Sequence, residues 1–311
     1  MTSTVGEKPP EGTVARLFFN LAWSGDESLT RGLCKKAAER LADGSAKIPL
    51  SGNDTRHIIP ELAEALGVQY EKEKLGRYVA EAVGRYADAA WPVGGDYAAL
   101  SILKANFYEH GRVFVRSGFA KYEMRLTGDQ TIIALCGAAL SYAGIYQHGD
   151  AWYYVYAVPT SKEPWKDVLP LAESRAKIPP YASHAVKRLW MSALWGNPTT
   201  YMELVFQKGQ RVTLVYADRI ALYDLSQYRG LANALRETAG LLRNDDVMKL
   251  AELVASRLQM YLTVFDLVGG GRRGRAEYLA DMLRVLRGVL SSDSSSGAER
   301  AFAAAMLRGI S

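Results

Sequence analysis

The densest potential chemistry in the chain is cationic. Between residues 112 and 126, apolar and polar residues alternate around Ser117-Gly118-Phe119-Ala120, which predicts a hairpin with that segment as its loop. This register sets Arg116 opposite Lys121, Phe114 opposite Glu123 and Arg112 opposite Arg125. Val113, Val115, Tyr122, Met124 and Leu126 then share the other face, so the pleat has a consistent core side. Like charges directly across a strand pair repel, at a cost of up to about 1 kcal/mol each. Phosphates lying on the face would relieve that repulsion, and Phe114 between arginines offers a ring on which a base can stack. The plainer alternative is a solvated basic face with Glu123 bridging its neighbours.

A second basic run is Gly269-Gly270-Gly271-Arg272-Arg273-Gly274-Arg275. Glycines let a backbone approach an anion closely, and arginine grips phosphate with a planar fork. The run is expected to be a loop leading into a helix near Ala276, and a flexible solvated connection is its alternative. Arg229, Arg236 and Arg243 recur every seven residues and are expected along one line of a helix whose other side holds Leu231, Leu235 and Leu242. A solvent-facing row is the ordinary meaning of such a pattern.

Catalytic signatures are missing from the sequence. It has no G-x-x-x-x-G-K-[ST], no G-x-S-x-G and no H-E-x-x-H. The four histidines, His57, His110, His148 and His184, lack metal-ligand spacing. No lysine has an acid two residues before it, as the metal-binding strand of many nucleases does, and in Glu123-Met124-Arg125 the arginine would not deprotonate. A dispersed metal-dependent nuclease site around Glu109, His110 and Asp129 remains an alternative. Asp245 and Asp246 beside Asn244 suit the first turn of a capped helix better than a metal.

Composition sets the frame. The chain has 311 residues, 49% hydrophobic and 23% charged, with 38 basic against 33 acidic side chains and a net charge of +5. This is an ordinary globular composition that permits an anionic partner without demanding one. Cys34 and Cys136 are distant in sequence and are expected to be two buried apolar thiols in a reducing cytoplasm. Residues 1–12 do not resemble a signal peptide, and residues 131–146 are too short and too rich in Gly and Ser to cross a membrane. The latter are expected to be a buried helix followed by a strand.

The elements that must position these groups follow from periodicity. Helices are predicted over 14–23, 28–41, 60–66, 71–91 and, briefly, 97–108. A second hairpin pairs 144–146 with 152–158 and a third pairs 201–207 with 211–216, with helices at 165–176 and 184–195 between them. Trp152-Tyr153-Tyr154-Val155-Tyr156 is expected to pack a core. Beyond residue 225 the pattern is helical, with a last helix after the serine-rich linker at 291–296. The fold class expected is α+β: a mixed N-terminal domain over 1–225 with short antiparallel hairpins and flanking helices, then a C-terminal helical bundle over 226–311.

Two segments resemble a known family. Asn20-Leu21-Ala22-Trp23-Ser24-Gly25-Asp26, and Lys104-Ala105-Asn106-Phe107-Tyr108-Glu109-His110-Gly111-Arg112, are similar to the large subunit of archaeal type I-A CRISPR interference (Cascade) complexes. The resemblance implies a subunit without nucleolytic chemistry or cofactor. Its implied partners are guide RNA, target DNA, the other effector subunits and a separate helicase–nuclease, and its implied role is to help recognise the motif flanking the target. Joined to the cationic runs, it makes Lys104, Arg112, Phe114, Arg116, Lys121, Arg125, Arg272, Arg273 and Arg275 the expected nucleic-acid contacts, with no catalytic or metal residues. A helical protein-interaction scaffold is the remaining alternative.

Overall fold

The structure is a computed structural model that describes residues 6–11, 13–69, 75–88, 92–104, 124–148, 151–159, 161–173, 181–183, 185–187, 199–208, 214–224, 229–261 and 271–310. The fold is α+β with C-terminal helices. The chain divides into two compact units. One comprises residues 1–173 with 202–220, and the other residues 174–201 with 221–311.

The first unit opens with α1 (Val14–Ala22), whose Thr13 hydroxyl accepts from the Arg16 N–H at 3.1 Å. A tight elbow leads to α2 (Glu27–Ala42), capped by Asp26. A single π-helical turn (Asp54–Ile58) runs into α3 (Ile59–Leu66), and Pro60, which has no N–H to donate, falls at the join. After α4 (Leu75–Asp88), β1 (Asp96–Ala98) pairs antiparallel with β2 (Arg125–Thr127), which leads directly into α5 (Gly128–Ser141). Strands β3 (Tyr142–His148) and β4 (Ala151–Pro159) form an antiparallel pair ending at His148 opposite Ala151. Helix α6 (Pro164–Glu173) follows, and β5 (Thr199–Lys208) and β6 (Leu214–Asp224) complete the sheet order β3-β4-β5-β6.

Every residue of α5 is buried, and α1, α2 and α4 pack around it. A helix apolar on all sides can fold only inside others, and its polar groups must find partners there. Thr127 and Gln130 form a reciprocal capping box at its start. The Thr131 hydroxyl donates to Thr127 O at 2.9 Å, and the Ser141 hydroxyl to Gly137 O at 2.7 Å. At its end Arg40 of α2 donates to the carbonyls of Ala139 and Tyr142 at 3.2 and 3.1 Å, serving orphan acceptors that would otherwise face the core. Gly137 lies against the backbone carbonyl of Phe18, leaving no room for a β-carbon.

Cys34 of α2 and Cys136 of α5 form a disulfide with a Cα–Cα distance of 5.1 Å. The expectation of two separate thiols is therefore corrected. Their separation of 102 residues hid a proximity created by helix packing. A second correction concerns residues 97–108. The described part is strand and turn, because Tyr97 pairs with Leu126 and Ala99 N–H donates to Met124 O at 2.8 Å.

The second unit contains α7 (Arg229–Glu237), a 3-10 turn (Ala239–Arg243), α8 (Asp245–Tyr261), α9 (Gly271–Ser291) and α10 (Gly297–Ile310). Asn244 caps α8 as expected, its Oδ1 accepting from Asp246 and Val247 N–H at 3.0 and 3.2 Å. Ser296 and Glu299 make a reciprocal box at the start of α10. Helices α7 and α10 cross where Gly230 meets Gly309 backbone to backbone.

Three outcomes are expected in thermal or urea melts. Reduction of the disulfide, or Cys34→Ser, lowers stability by up to roughly 4–5 kcal/mol, the loop-entropy value for a closure near 100 residues; an unchanged midpoint would show the bond to be dispensable. Gly137→Ala, which drives a methyl into the Phe18 carbonyl, costs about 1–3 kcal/mol. Gly288→Ala, in open space on α9, is neutral or stabilising by up to about 1 kcal/mol.

Candidate nucleic-acid interface

Of the expected nucleic-acid contacts, Lys104, Arg125, Arg272, Arg273 and Arg275 fall among the described residues. Arg112, Phe114, Arg116 and Lys121 lie outside the described residues. Arg125 lies on β2 opposite Ala98, and its Nε donates to Asp96 Oδ2 at 2.7 Å, so a carboxylate on the neighbouring strand balances its charge. Lys104 is only 8% exposed. Arg272, Arg273 and Arg275 sit in the opening turns of α9, which starts at Gly271 rather than near Ala276. Arginine is a good helix former, so it extends the helix back into the glycine run. The seven-residue arginine row is likewise interrupted. Arg229 and Arg236 share α7, but Arg243 falls in the 3-10 turn, 5.8 Å from the Tyr181 ring centroid.

A different arrangement gathers lysines and indoles. An open cleft of about 450 Å³ lies where α1 ends and α6 begins, lined by Lys8, Asn20, Trp23, Ser24, Ser161, Lys162 and Trp165 among others. One wall is the elbow between α1 and α2, and its residue order explains its shape. The Trp23 N–H closes α1 onto Phe19 O at 2.8 Å. The Ser24 hydroxyl donates to Asp26 O at 2.8 Å, Gly25 takes a φ of +84° that other residues resist, and Asp26 Oδ1 accepts from Leu29 N–H at 2.9 Å to start α2. Gly6 packs so close to the Trp23 ring that a β-carbon there would overlap it.

The opposite wall is the bend at 161–163 and the first turn of α6. Lys166 holds Glu163 at 2.6 Å and lies 5.1 Å from the Trp165 ring centroid, so the one acid among the described residues of the cleft is already paired. Lys8 comes from the N-terminal segment, which is tied down by Gln130 Nε2 to Glu7 O at 3.2 Å and by Arg16 to Pro9 O at 3.0 Å. Lys8 and Lys162 are exposed, while both indoles are half-buried. Such a surface suits a planar ring carrying negative charge. Sequence reasoning singled out Trp23 only within the resembling segment, and it missed Lys8, Lys162 and Trp165, which are far from Trp23 along the chain.

The carboxylate offered for nuclease chemistry has another role. Asp129 is buried, and its Oδ1 accepts from the Tyr86 hydroxyl at 2.9 Å and from Val93 N–H at 3.0 Å. Glu109 and His110 lie outside the described residues. Among the described residues no group of three or more His, Cys, Asp or Glu side chains is placed to hold a metal. Burial, then the adjacent Asp129 carboxylate, pushes the Tyr86 phenol far above its usual range. The aromatic strand is core over Tyr154, Val155 and Tyr156, whereas Trp152 and Tyr153 are half-buried; Tyr156 packs edge-on against Phe18 with ring centroids 5.0 Å apart. Burial there pushes the Tyr154 phenol up to about 12 and raises Tyr142 and Tyr156 as well. No protein-family model matches the chain, and no curated protein matches it significantly.

These tyrosines set an alkaline limit on stability. A phenol whose folded pKa lies above the unfolded value near 10 contributes fully below pH 10, where both states are protonated. Between about pH 10 and 12 the unfolded chain loses protons that the folded chain keeps, so stability falls as pH rises. Urea midpoints taken across that window are expected to decline, and Tyr154→Phe is expected to flatten the decline; a pH-independent midpoint would contradict the burial argument.

Proposed function

We propose that the protein is a non-catalytic, nucleic-acid-contacting large subunit of an RNA-guided CRISPR effector complex, one that helps recognise the target-flanking motif in DNA and the guide RNA end. The observation that carries this proposal is the cleft at the α1–α2 elbow. The segment Asn20–Asp26, one of the two that resemble the type I-A large subunit, builds one wall of a concave surface combining indoles with exposed lysines. Aromatic faces beside cations are the general means by which proteins hold single-stranded nucleic acid. The net charge of +5 is modest for a protein that binds nucleic acid alone, and it suits a subunit whose affinity is shared across an assembly.

The alternative nuclease is weakened by Asp129, whose carboxylate oxygen is committed to Tyr86 and Val93. The proposed partners are guide RNA, target DNA, the other effector subunits and a helicase–nuclease, and no cofactor is invoked. Among the described residues no helix is long and apolar enough to cross a membrane. A cytoplasmic location is part of the proposal. It accommodates the Cys34–Cys136 bond if the source is one of the hyperthermophiles whose intracellular proteins retain disulfides.

Affinity purification of the full chain from cells of its source, followed by sequencing of bound RNA and identification of bound proteins, tests the proposal. Repeat-derived guide RNA and effector subunits are expected to copurify, with retention falling as salt rises because phosphate contacts release counterions. A monomer that holds neither RNA nor DNA at low salt would defeat it.

A further inference from the structure

We infer that the cleft between the end of α1 and the start of α6 receives an unpaired nucleotide of a single-stranded nucleic acid and thereby distinguishes single strand from duplex. The inference rests on the nucleic-acid proposal above and names what this site recognises. Three features of the cleft converge on it.

The first is size. A volume of about 450 Å³ lies at the small end of the ~300–1,000 Å³ typical of organic-ligand sites, which suits one nucleotide rather than a base pair with both backbones. The second is the pairing of exposed cations with half-buried rings. Lys8 and Lys162 are exposed, whereas Trp23 and Trp165 are half-buried. A nucleotide has the same polarity, with a phosphate that stays in water and a base that gains from apolar contact. The third is charge balance. Glu163 is paired with Lys166, and among the described residues no ion pair of Lys8 or Lys162 is recorded, so the cleft carries surplus positive charge. Asn20 adds a side-chain amide able to bond a base edge. In a duplex the base faces cover one another, so an indole recessed in a cleft can meet a base only after it has left the stack. An acidic peptide would satisfy the lysines without drawing on the two rings, Trp23 with Phe19 at 5.8 Å between centroids and Trp165 with Lys166 at 5.1 Å.

The test uses the full chain with a labelled oligothymidylate, an oligouridylate, a duplex of equal length and an oligoglutamate competitor. Binding is read by anisotropy and by quenching of tryptophan fluorescence. Single strands are expected to bind more tightly than duplex and to quench. Lys8→Glu with Lys162→Glu is expected to weaken binding by at least about tenfold and to reduce the salt slope by about 1.4, the value for two fewer phosphates on a single strand. Trp165→Leu should lose affinity and quenching, while Trp165→Phe, which keeps an aromatic face, should retain affinity. Melting curves check that each variant is folded, and the two lysines, being exposed, keep the test decisive if Trp165→Leu is not.

Equal affinity for duplex and single strand, or wild-type binding by the lysine variant, would overturn the inference while leaving the proposed subunit role standing on other surfaces. Equal displacement by oligoglutamate would show a general anion site and would also overturn it. If neither the chain nor its purified assembly binds any nucleic acid, the proposed function falls as well.

Discussion

Much of the first unit depends on one constraint: α5 is buried along its entire length. Such a helix exposes no face on which to leave an unpaired group, so its surroundings must supply every partner. The capping box serves its N-terminal amides, Arg40 serves its C-terminal carbonyls, and its internal hydroxyls bond back onto the preceding turn. Gly137 sets how closely α1 can approach, and the disulfide to α2 makes one of these packings covalent. Asp129 belongs to the same arrangement. In its first turn α5 offers a carboxylate that ties down Tyr86 of α4 and the backbone at Val93.

The cleft follows from that core. Gln130 of α5 holds the carbonyl of Glu7, which places Lys8 beside the end of α1. Because α1 lies against α5, Trp23 and the elbow after it have little freedom in where they emerge. Ser24, Gly25 and Asp26 then turn the chain within three residues through a hydroxyl bond, a positive φ and an N-cap. The segment thus has a complete structural explanation, and its tryptophan is left at the edge of an open concavity. These few residues both turn the chain and line the cleft, so a substitution here alters both.

The cationic runs show how much tertiary context changes a local pattern. Arg125 was grouped with other cations across a hairpin, yet on the neighbouring strand it meets Asp96, an acid 29 residues away. The glycine–arginine run was expected to stay open, yet helix propensity carries α9 back to Gly271. The arginine row assumed one uninterrupted helix, and the 3-10 turn at Ala239–Arg243 breaks it. In the two helical cases the spacing was real, but the element on which it was projected differed.

Periodicity alone located most elements: α1, α2, α3 and α6, the helix–strand junction at α5 and β3, the β3–β4 pair, the Asn244 cap and the helical C-terminal region. These depend on side chains within a few residues of one another, so short-range patterning reports them. The α+β class was legible for the same reason. The Cys34–Cys136 bond, the Asp129–Tyr86 contact, the Arg125–Asp96 pair and the meeting of Lys8, Trp23, Lys162 and Trp165 were not. Each joins residues that only packing around the buried α5 brings together. A single sequence records which groups are present, and the choice of neighbours across long separations is made by burial, which forces distant polar and apolar surfaces to find one another.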